Sequence, residues 1–151
     1  MLTLKEEDYQ KIIAHGREGK PLEICGLLVG HRQGDDATVL EVHRVDSTDP
    51  QETTYSMDGL QYMKIETDAR KRELEIVGIY HTHPATQPYP SKTDVARAHW
   101  DETGDDLIFP GYSYLIVSLR DAQNPEPRSF KITGRRIPED IVEEPVTVQN
   151  G

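Results

Sequence analysis

The feature that most constrains the fold of this chain is the segment EIVGIYHTHPATQPYPSKTD, residues 75–94. Its first nine residues contain a dense apolar run, which is typical of a strand buried in the centre of a sheet. A loop with three prolines follows, and the Ser-x-x-Asp pattern from Ser91 to Asp94 is typical of a helix start. The segment therefore predicts a central strand, a stiff connection and a helix, in that order.

Helices and further strands are predicted on both sides of this segment. Apolar spacing predicts an amphipathic helix from Leu4 to Gly16, begun by a capping box of Thr3 and Glu6. The other predicted elements are a hairpin of strands 24–29 and 38–45, helices over about 58–74 and 91–100, and strands 114–119 and 129–133. We expect one α/β-type (mixed α+β) domain over residues 1–134, with a partly antiparallel sheet, and a polar, loosely held tail over 135–151.

Composition excludes several classes of function. The 27 acidic and 17 basic side chains give a net charge of -10, which argues against binding to nucleic acid or to anionic membranes. The chain shows neither a signal peptide nor the roughly 18 apolar residues of a spanning helix, so a soluble cytoplasmic protein is expected. Cys25 is the only cysteine, so a metal site would have to use histidine and carboxylate ligands.

His81 and His83 are candidate metal ligands because residues i and i+2 of a strand project from the same face. Asp94 returns to that face if the proline loop doubles back. Two histidines and one carboxylate, with a fourth position left for water, form the ligand set of a catalytic zinc site. An ordinary strand end followed by a helix cap explains each half of the pattern separately, but the two halves together favour a metal site. An iron oxygenase or a cupin barrel would need a carboxylate at other spacings.

The combined spacing resembles the JAMM/MPN metalloprotease family, the superfamily that contains the zinc deubiquitinases. The pattern of that family is His-x-His-Pro, seven residues, Ser, two residues and Asp, with an upstream Glu before a Cys-Gly strand start. Here these parts read HTHP, Ser91, Asp94 and EICGLLVG from Glu23, and Thr82 stands where Ser is common. The resemblance covers the chain from Leu4 to about Thr133. It implies a curled mixed β-sheet flanked by helices, in a cytidine-deaminase-like architecture.

The resemblance also implies roles for individual residues. His81, His83 and Asp94 are expected to hold one zinc ion, with Glu23 as the general base and Ser91 as the hydrogen-bond donor to the oxyanion. The implied reaction is hydrolysis of an amide or isopeptide bond. The chain is more similar to compact prokaryotic members, some of which are thought to process ubiquitin-like sulfur-carrier proteins after a C-terminal Gly-Gly. Such a carrier is therefore the expected partner.

Other functions stay open from the sequence alone: a non-catalytic MPN scaffold, the DNA-repair-associated branch of the family, and a zinc hydrolase of another small amide. A scaffold is disfavoured because scaffolding members typically lack metal ligands, whereas all of the ligand positions are filled here. A nucleophilic role for Cys25 is disfavoured, because a lone cysteine in an apolar strand is usually a small buried hydrophobe. His99 is expected to be exposed, and Trp100 is expected to pack against the core rather than flank a groove. The sequence does not indicate the oligomeric state.

Overall fold

A curled eight-stranded mixed sheet forms the body of the protein. The structure is a computed structural model that describes residues 1–150 of the chain. The strands are β1 (Leu2–Lys5), β2 (Cys25–Gln33), β3 (Asp36–Val45), β4 (Glu75–His83), β5 (Ser113–Ser118), β6 (Glu126–Ile132), β7 (Ile141–Glu144) and β8 (Val146–Gln149). The helices are α1 (Glu6–Gly19), α2 (Gly59–Lys71) and α3 (Lys92–Arg97). The strand order is β7-β6-β5-β4-β2-β3-β1-β8. The predicted mixed α+β class and the single curled sheet with helical cover are confirmed.

Strand β4 lies in the middle of the sheet, as its apolar run predicts. It pairs antiparallel with β2 and parallel with β5, and eight of its nine residues are buried. Val77 belongs to the apolar cluster that includes α1, and Ile79 belongs to the cluster that includes α2 and α3. Because helices cover both faces of the strand, its sequence is almost continuously apolar.

The predicted hairpin is formed by β2 and β3, and it positions the segment before β2 next to the histidines. Cys25, the first residue of β2, lies opposite His81 of β4 in the antiparallel register. The β2–β3 register shifts between Val29 and Gly30, which marks a β-bulge. At this bulge a Cβ on Gly30 would lie 1.9 Å from the carbonyl oxygen of Thr38, so only glycine fits.

The N-terminus differs from the prediction. Residues 2–5 form β1, which pairs in parallel with both β3 and β8, and α1 begins only at Glu6. Lys5 is the N-cap of α1 and makes no side-chain hydrogen bond to the helix, so the predicted capping box of Thr3 and Glu6 is wrong. Leu2 and Leu4 are both fully buried, and this period of two favours strand pairing over the local capping pattern.

The C-terminal segment also differs from the expectation of a loosely held tail. Residues 141–149 form β7 and β8, which occupy opposite edges of the sheet. Glu144 is buried and accepts a hydrogen bond of 2.8 Å from the Ser129 hydroxyl. Both strands are only four residues long and largely half-exposed, so β7 shows no apolar alternation and the alternation of Val146 and Val148 in β8 is too short to identify a strand from the sequence.

Helix α2 confirms the second predicted helix and begins at a regular N-cap. The side chain of Asp58 accepts a hydrogen bond from the backbone N–H of Gln61, which is the usual way to satisfy an unpaired N–H at a helix start. Within residues 1–150, the helices fall short of the length and hydrophobicity needed to cross a lipid bilayer.

Candidate metal centre

Polar side chains from three parts of the fold meet at the carboxyl end of β4. His81 and His83 end that strand, Asp94 lies in the first turn of α3, and Glu23 lies just before β2. One ligand atom from each of the four residues lies within 4.8 Å of the other three, and all four residues belong to the buried interior. The structure therefore brings together four of the five site residues named from the sequence, in a group that could hold a metal ion.

The three nearest donor atoms form an almost equilateral triangle. The Nε2 atoms of His81 and His83 lie 3.1 Å apart, and Asp94 Oδ2 lies 3.3 Å from the first and 3.2 Å from the second. Tetrahedral ligands at zinc distances of about 2.0–2.1 Å would be about 3.3 Å apart. The triangle therefore has the dimensions of one face of a zinc coordination tetrahedron.

The protonation of His83 suits a metal ligand. Its Nδ1 lies 2.8 Å from the carbonyl oxygen of Gln87, in the proline-rich loop. Because a carbonyl can only accept, Nδ1 carries a proton, and in the neutral ring the lone pair is therefore on Nε2. A ligand histidine usually has such a partner on its second nitrogen. The proline-rich loop between β4 and α3 thus orients the ring of His83.

Ser91 and Asp94 form the capping box that the sequence predicted. The Ser91 hydroxyl accepts from the backbone N–H of Asp94 at 3.0 Å, and Asp94 Oδ2 accepts from the backbone N–H of Ser91 at 2.9 Å. Burial alone would raise the pKa of Asp94, but the charge of His81 and hydrogen bonds from both histidines and from Ser91 hold that pKa well below its usual range. Asp94 is therefore a carboxylate at any physiological pH.

Glu23 is buried without a partner for one of its oxygens. The residue is 4% exposed, and within residues 1–150 its Oε1 has no hydrogen-bond partner. Burial raises the pKa of Glu23 to about 7. A carboxyl that titrates near neutral pH can both take up and release a proton, as general acid–base catalysis requires.

Two cavities adjoin the cluster from different sides. One, of about 760 Å³, is mostly apolar, reaches Asp94 and is lined by α2, α3 and the segment after α3. The other, of about 550 Å³, is lined by Glu23, His83 and Ser91. Clefts of this size and apolar character are typical of ligand sites.

The residues after α3 differ from their prediction. Trp100 is 67% exposed at the rim of the larger cavity, so the expectation that it packs against the core is wrong. His99 is buried rather than exposed, and its Nδ1 donates to the carbonyl oxygen of Val95 at 2.7 Å.

Cys25 is fully buried as expected, and burial raises the pKa of its thiol to about 12, which removes it as a nucleophile.

Tyr55 lies against the cluster and was not among the predicted site residues. Its ring centroid is 4.8 Å from that of His81. It lies in the connection between β3 and α2, which begins with the turn-rich residues 46–50 and for which the sequence predicts no strand or helix before about residue 58. No local pattern could have placed it at the site, because its position depends on how that connection folds back over the sheet.

The fold and this cluster define a protein with a buried candidate metal centre of histidine and carboxylate ligands. Residues 5–133 match the model of a family described as prokaryotic homologs of the JAB domain. The chain belongs to this family, the JAMM/MPN family, and is a JAMM-type peptidase.

Named relatives and a solved structure agree with this assignment. The chain is 34% identical over 122 residues to a desampylase from Haloferax volcanii, covering 78% of this chain and 80% of that relative. It is 30% identical over 148 residues to the CysO-cysteine peptidase of Mycobacterium tuberculosis, covering 98% of this chain and 91% of that relative. The solution structure of a Desulfitobacterium hafniense protein is similar at a TM-score of 0.84 and 33% identity, over 100% of this chain and 94% of that one.

Proposed function

We propose that the protein is a zinc-dependent peptidase that cleaves the amide or isopeptide bond after the C-terminal Gly-Gly of a ubiquitin-like sulfur-carrier protein. The observation that carries this proposal is the triangle of donor atoms from His81, His83 and Asp94 beside the buried Glu23 carboxyl. Similarity to relatives named desampylase and CysO-cysteine peptidase supports the peptidase activity and the carrier as substrate.

His81 and His83 would hold the zinc ion through Nε2, and Asp94 would hold it through Oδ2. Their spacing suits zinc, and the Nδ1 hydrogen bond of His83 places the lone pair of the neutral ring on Nε2, where the metal would bind. When bound, zinc supplies a Lewis acid that lowers the pKa of a water molecule toward about 7 and polarises a carbonyl group.

Glu23 is the proposed general base. Its carboxyl lies within 4.8 Å of the three proposed ligands, and its pKa of about 7 suits a group that accepts a proton and later releases it. Glu23 would take the proton of the attacking water and deliver it to the departing amine. No covalent bond between the enzyme and its substrate is needed.

Ser91 is the proposed donor to the oxyanion that forms when water attacks the carbonyl. Its hydroxyl oxygen accepts a hydrogen bond from the Asp94 backbone, so the hydroxyl hydrogen is still available to donate. The serine lines the same cavity as Glu23 and His83. A preorganised donor at this point would stabilise the transition state.

The two cavities suggest where the two halves of the substrate lie. The departing amine must be within reach of Glu23, so we assign it to the cavity that Glu23 lines. The carrier tail is then assigned to the larger apolar cavity that reaches Asp94. A tail of two glycines has no side chains to accommodate where it crosses the cluster.

The substrate assignment is tested with a carrier protein that ends in Gly-Gly fused to a short peptide. The zinc-loaded protein is expected to release the peptide by a single cut after the second glycine, observed by mass spectrometry. A fusion in which valine replaces that glycine is the control and should be cut far more slowly. An intact Gly-Gly fusion at stoichiometric zinc would exclude this substrate class and leave a zinc hydrolase of another amide or a scaffold.

A further inference from the structure

The connection between β3 and α2, residues 46–58, folds into a small hairpin that we call the site loop. Ser47 and Met57 form an isolated antiparallel bridge. The backbone N–H of Thr48 donates to the carbonyl oxygen of Ser56 at 2.7 Å, beside that bridge. The loop therefore has internal backbone pairing and a defined course.

The site loop contacts each part of the fold that carries a residue of the cluster. The backbone N–H of Glu23 donates to the carbonyl oxygen of Gln51 at 2.8 Å. The guanidinium group of Arg97, on α3, donates to the carbonyl oxygen of Tyr55. The ring of Tyr55 packs on that of His81, on β4. The loop thus connects the segment before β2, strand β4 and helix α3.

The two histidines of the cluster are held in different ways. Nδ1 of His83 donates to Gln87, but Nδ1 of His81 is buried and has no hydrogen-bond partner within residues 1–150. The final side-chain torsion of histidine has a broad, roughly two-fold preference, so the backbone alone does not determine the plane of the ring. His81 therefore lacks the restraint at its second ring nitrogen that His83 has.

Tyr55 supplies such a restraint through packing. The two ring centroids are 4.8 Å apart and the planes are inclined by 36°, which is within the range of favourable aromatic contacts. The Arg97 hydrogen bond holds the backbone of Tyr55 at the position from which its ring reaches His81. The contact covers one face of the imidazole and leaves Nε2 directed toward His83 and Asp94.

We propose that Tyr55 is a positioning residue that holds the imidazole of His81 in its metal-binding orientation by ring packing, in place of the hydrogen bond that orients His83. This inference rests on the proposed function only in taking His81 as a metal ligand. The aromatic ring is what matters and the hydroxyl group is not needed, so phenylalanine can replace tyrosine.

The test measures zinc affinity by competition with a chromophoric chelator, which requires no substrate. Tyr55→Ala and Tyr55→Leu should each bind zinc at least about tenfold more weakly, the size of effect seen when a partner that orients a metal ligand is lost. Tyr55→Phe should retain the wild-type affinity. Leucine fills much of the volume but has no planar face, so it separates ring packing from the filling of space.

Tyr9→Ala is the matched control. Tyr9 is also partly buried, but it packs against the other apolar cluster, on the α1 side of the sheet. This variant should lower the unfolding temperature without changing zinc affinity. Wild-type zinc affinity in Tyr55→Ala and Tyr55→Leu, or a loss in Tyr55→Phe equal to that in Tyr55→Ala, would overturn the inference.

NMR of the metal-free protein separates this inference from the proposed function. With histidine labelled at its ring nitrogens, Tyr55→Ala should broaden the His81 signals through exchange between ring orientations, while the His83 signals stay sharp. Sharp His81 signals in Tyr55→Ala would contradict a positioning role whether or not zinc binds. Failure of the wild-type protein to bind zinc or to cut the carrier fusion would instead contradict the proposed function.

Discussion

Glu23 and Asp94 are both buried carboxyl groups, yet their surroundings move their pKa values in opposite directions. Burial raises the pKa of Glu23 to about 7, whereas the two histidines and the Ser91 N–H hold the pKa of Asp94 far below that value. Carboxyl groups with such different pKa values in one site can perform different tasks. Asp94 suits a permanent negative ligand, and Glu23 suits a group that exchanges protons.

Substitution of these two residues should therefore have different effects. Glu23→Gln should keep zinc bound but lower kcat by a factor on the order of 100 to 10,000, because only the proton transfer is lost. Asp94→Ala should lose the metal, because one of three ligands is gone. Metal analysis of the purified proteins and turnover of a Gly-Gly fusion measure both effects. Wild-type turnover in Glu23→Gln would remove Glu23 as the base.

Ser91 combines a structural role with a proposed catalytic one, and a glycine substitution separates the two. Glycine at an N-cap costs only a few tenths of a kcal/mol relative to serine, whereas alanine costs about 1 kcal/mol. Ser91→Gly should therefore unfold near the wild-type temperature while kcat falls by a factor of about 100 to 1,000, the usual effect of losing one oxyanion donor.

Two measurements decide the role of Ser91. Thermal unfolding and steady-state kinetics are compared for Ser91→Gly, Ser91→Ala and Ser91→Thr. Threonine retains a hydroxyl group and a fair N-cap preference, so Ser91→Thr should recover much of the activity. Equal kcat in Ser91→Gly and the wild type would limit Ser91 to capping the helix.

At the scale of elements, strand β4, which ends in the two histidines, packs closely against β5. Gly78 lies opposite Ser113 of β5 in the parallel register. A Cβ on Gly78 would lie 2.3 Å from the carbonyl oxygen of Ser113, which is backbone and cannot rotate away. The two central strands approach each other more closely here than a side chain would allow.

Gly78→Ala should lower the free energy of unfolding by about 1–3 kcal/mol, the usual cost of overpacking a core. Gly59→Ala is the control, because Gly59 begins α2 and a Cβ there would have no heavy atom within 4 Å. That variant should be unchanged or slightly more stable, since alanine favours helix. Urea denaturation of both variants provides the comparison, and equal stability of Gly78→Ala and wild type would contradict the close approach.

At the scale of the whole molecule, the buried cluster links stability to pH. The pKa of Glu23 rises from its usual 4.5 to about 7, so between these values the folded protein binds more protons than the unfolded chain. The free energy of unfolding of the metal-free protein therefore falls as the pH rises through that window. Burial by itself would lower the pKa of His83, but its hydrogen bonds to Asp94 and Gln87 and the nearby carboxylate charges together raise that pKa, which acts in the same direction above the usual value of 6.5.

With a chelator present, the wild-type protein should lose stability between about pH 5 and pH 8, and Glu23→Gln should lose less, by on the order of 2 kcal/mol. The free energies of unfolding of both proteins, measured at pH 5 and at pH 8, give this difference. Zinc added at neutral pH should restore the unfolding temperature, since an ion that binds only the folded state stabilises it. The same pH dependence in both proteins would contradict the raised pKa of Glu23.

Local patterns in the sequence were sufficient to predict β4, the hairpin and the capped start of α3. Alternation along a strand places His81 and His83 on one face, and a capping box involves only the four residues from Ser91 to Asp94. These features depend on short-range geometry and therefore hold wherever the segment lies in the fold. Glu23 could be named only by resemblance to a family, because its neighbourhood carries no signal of its own.

Contacts between distant segments decided the features that local sequence patterns did not predict. The register of Cys25 opposite His81 brings Glu23 to the site, and the course of the site loop brings Tyr55 there. Pairing with β3 and β8 makes residues 2–5 a strand, and pairing at the sheet edges orders residues 141–149. In each case the free energy comes from partners far along the chain, which outweigh local preference. The sequence by itself determined the chemistry of the candidate site, and the tertiary structure decided which other residues surround it.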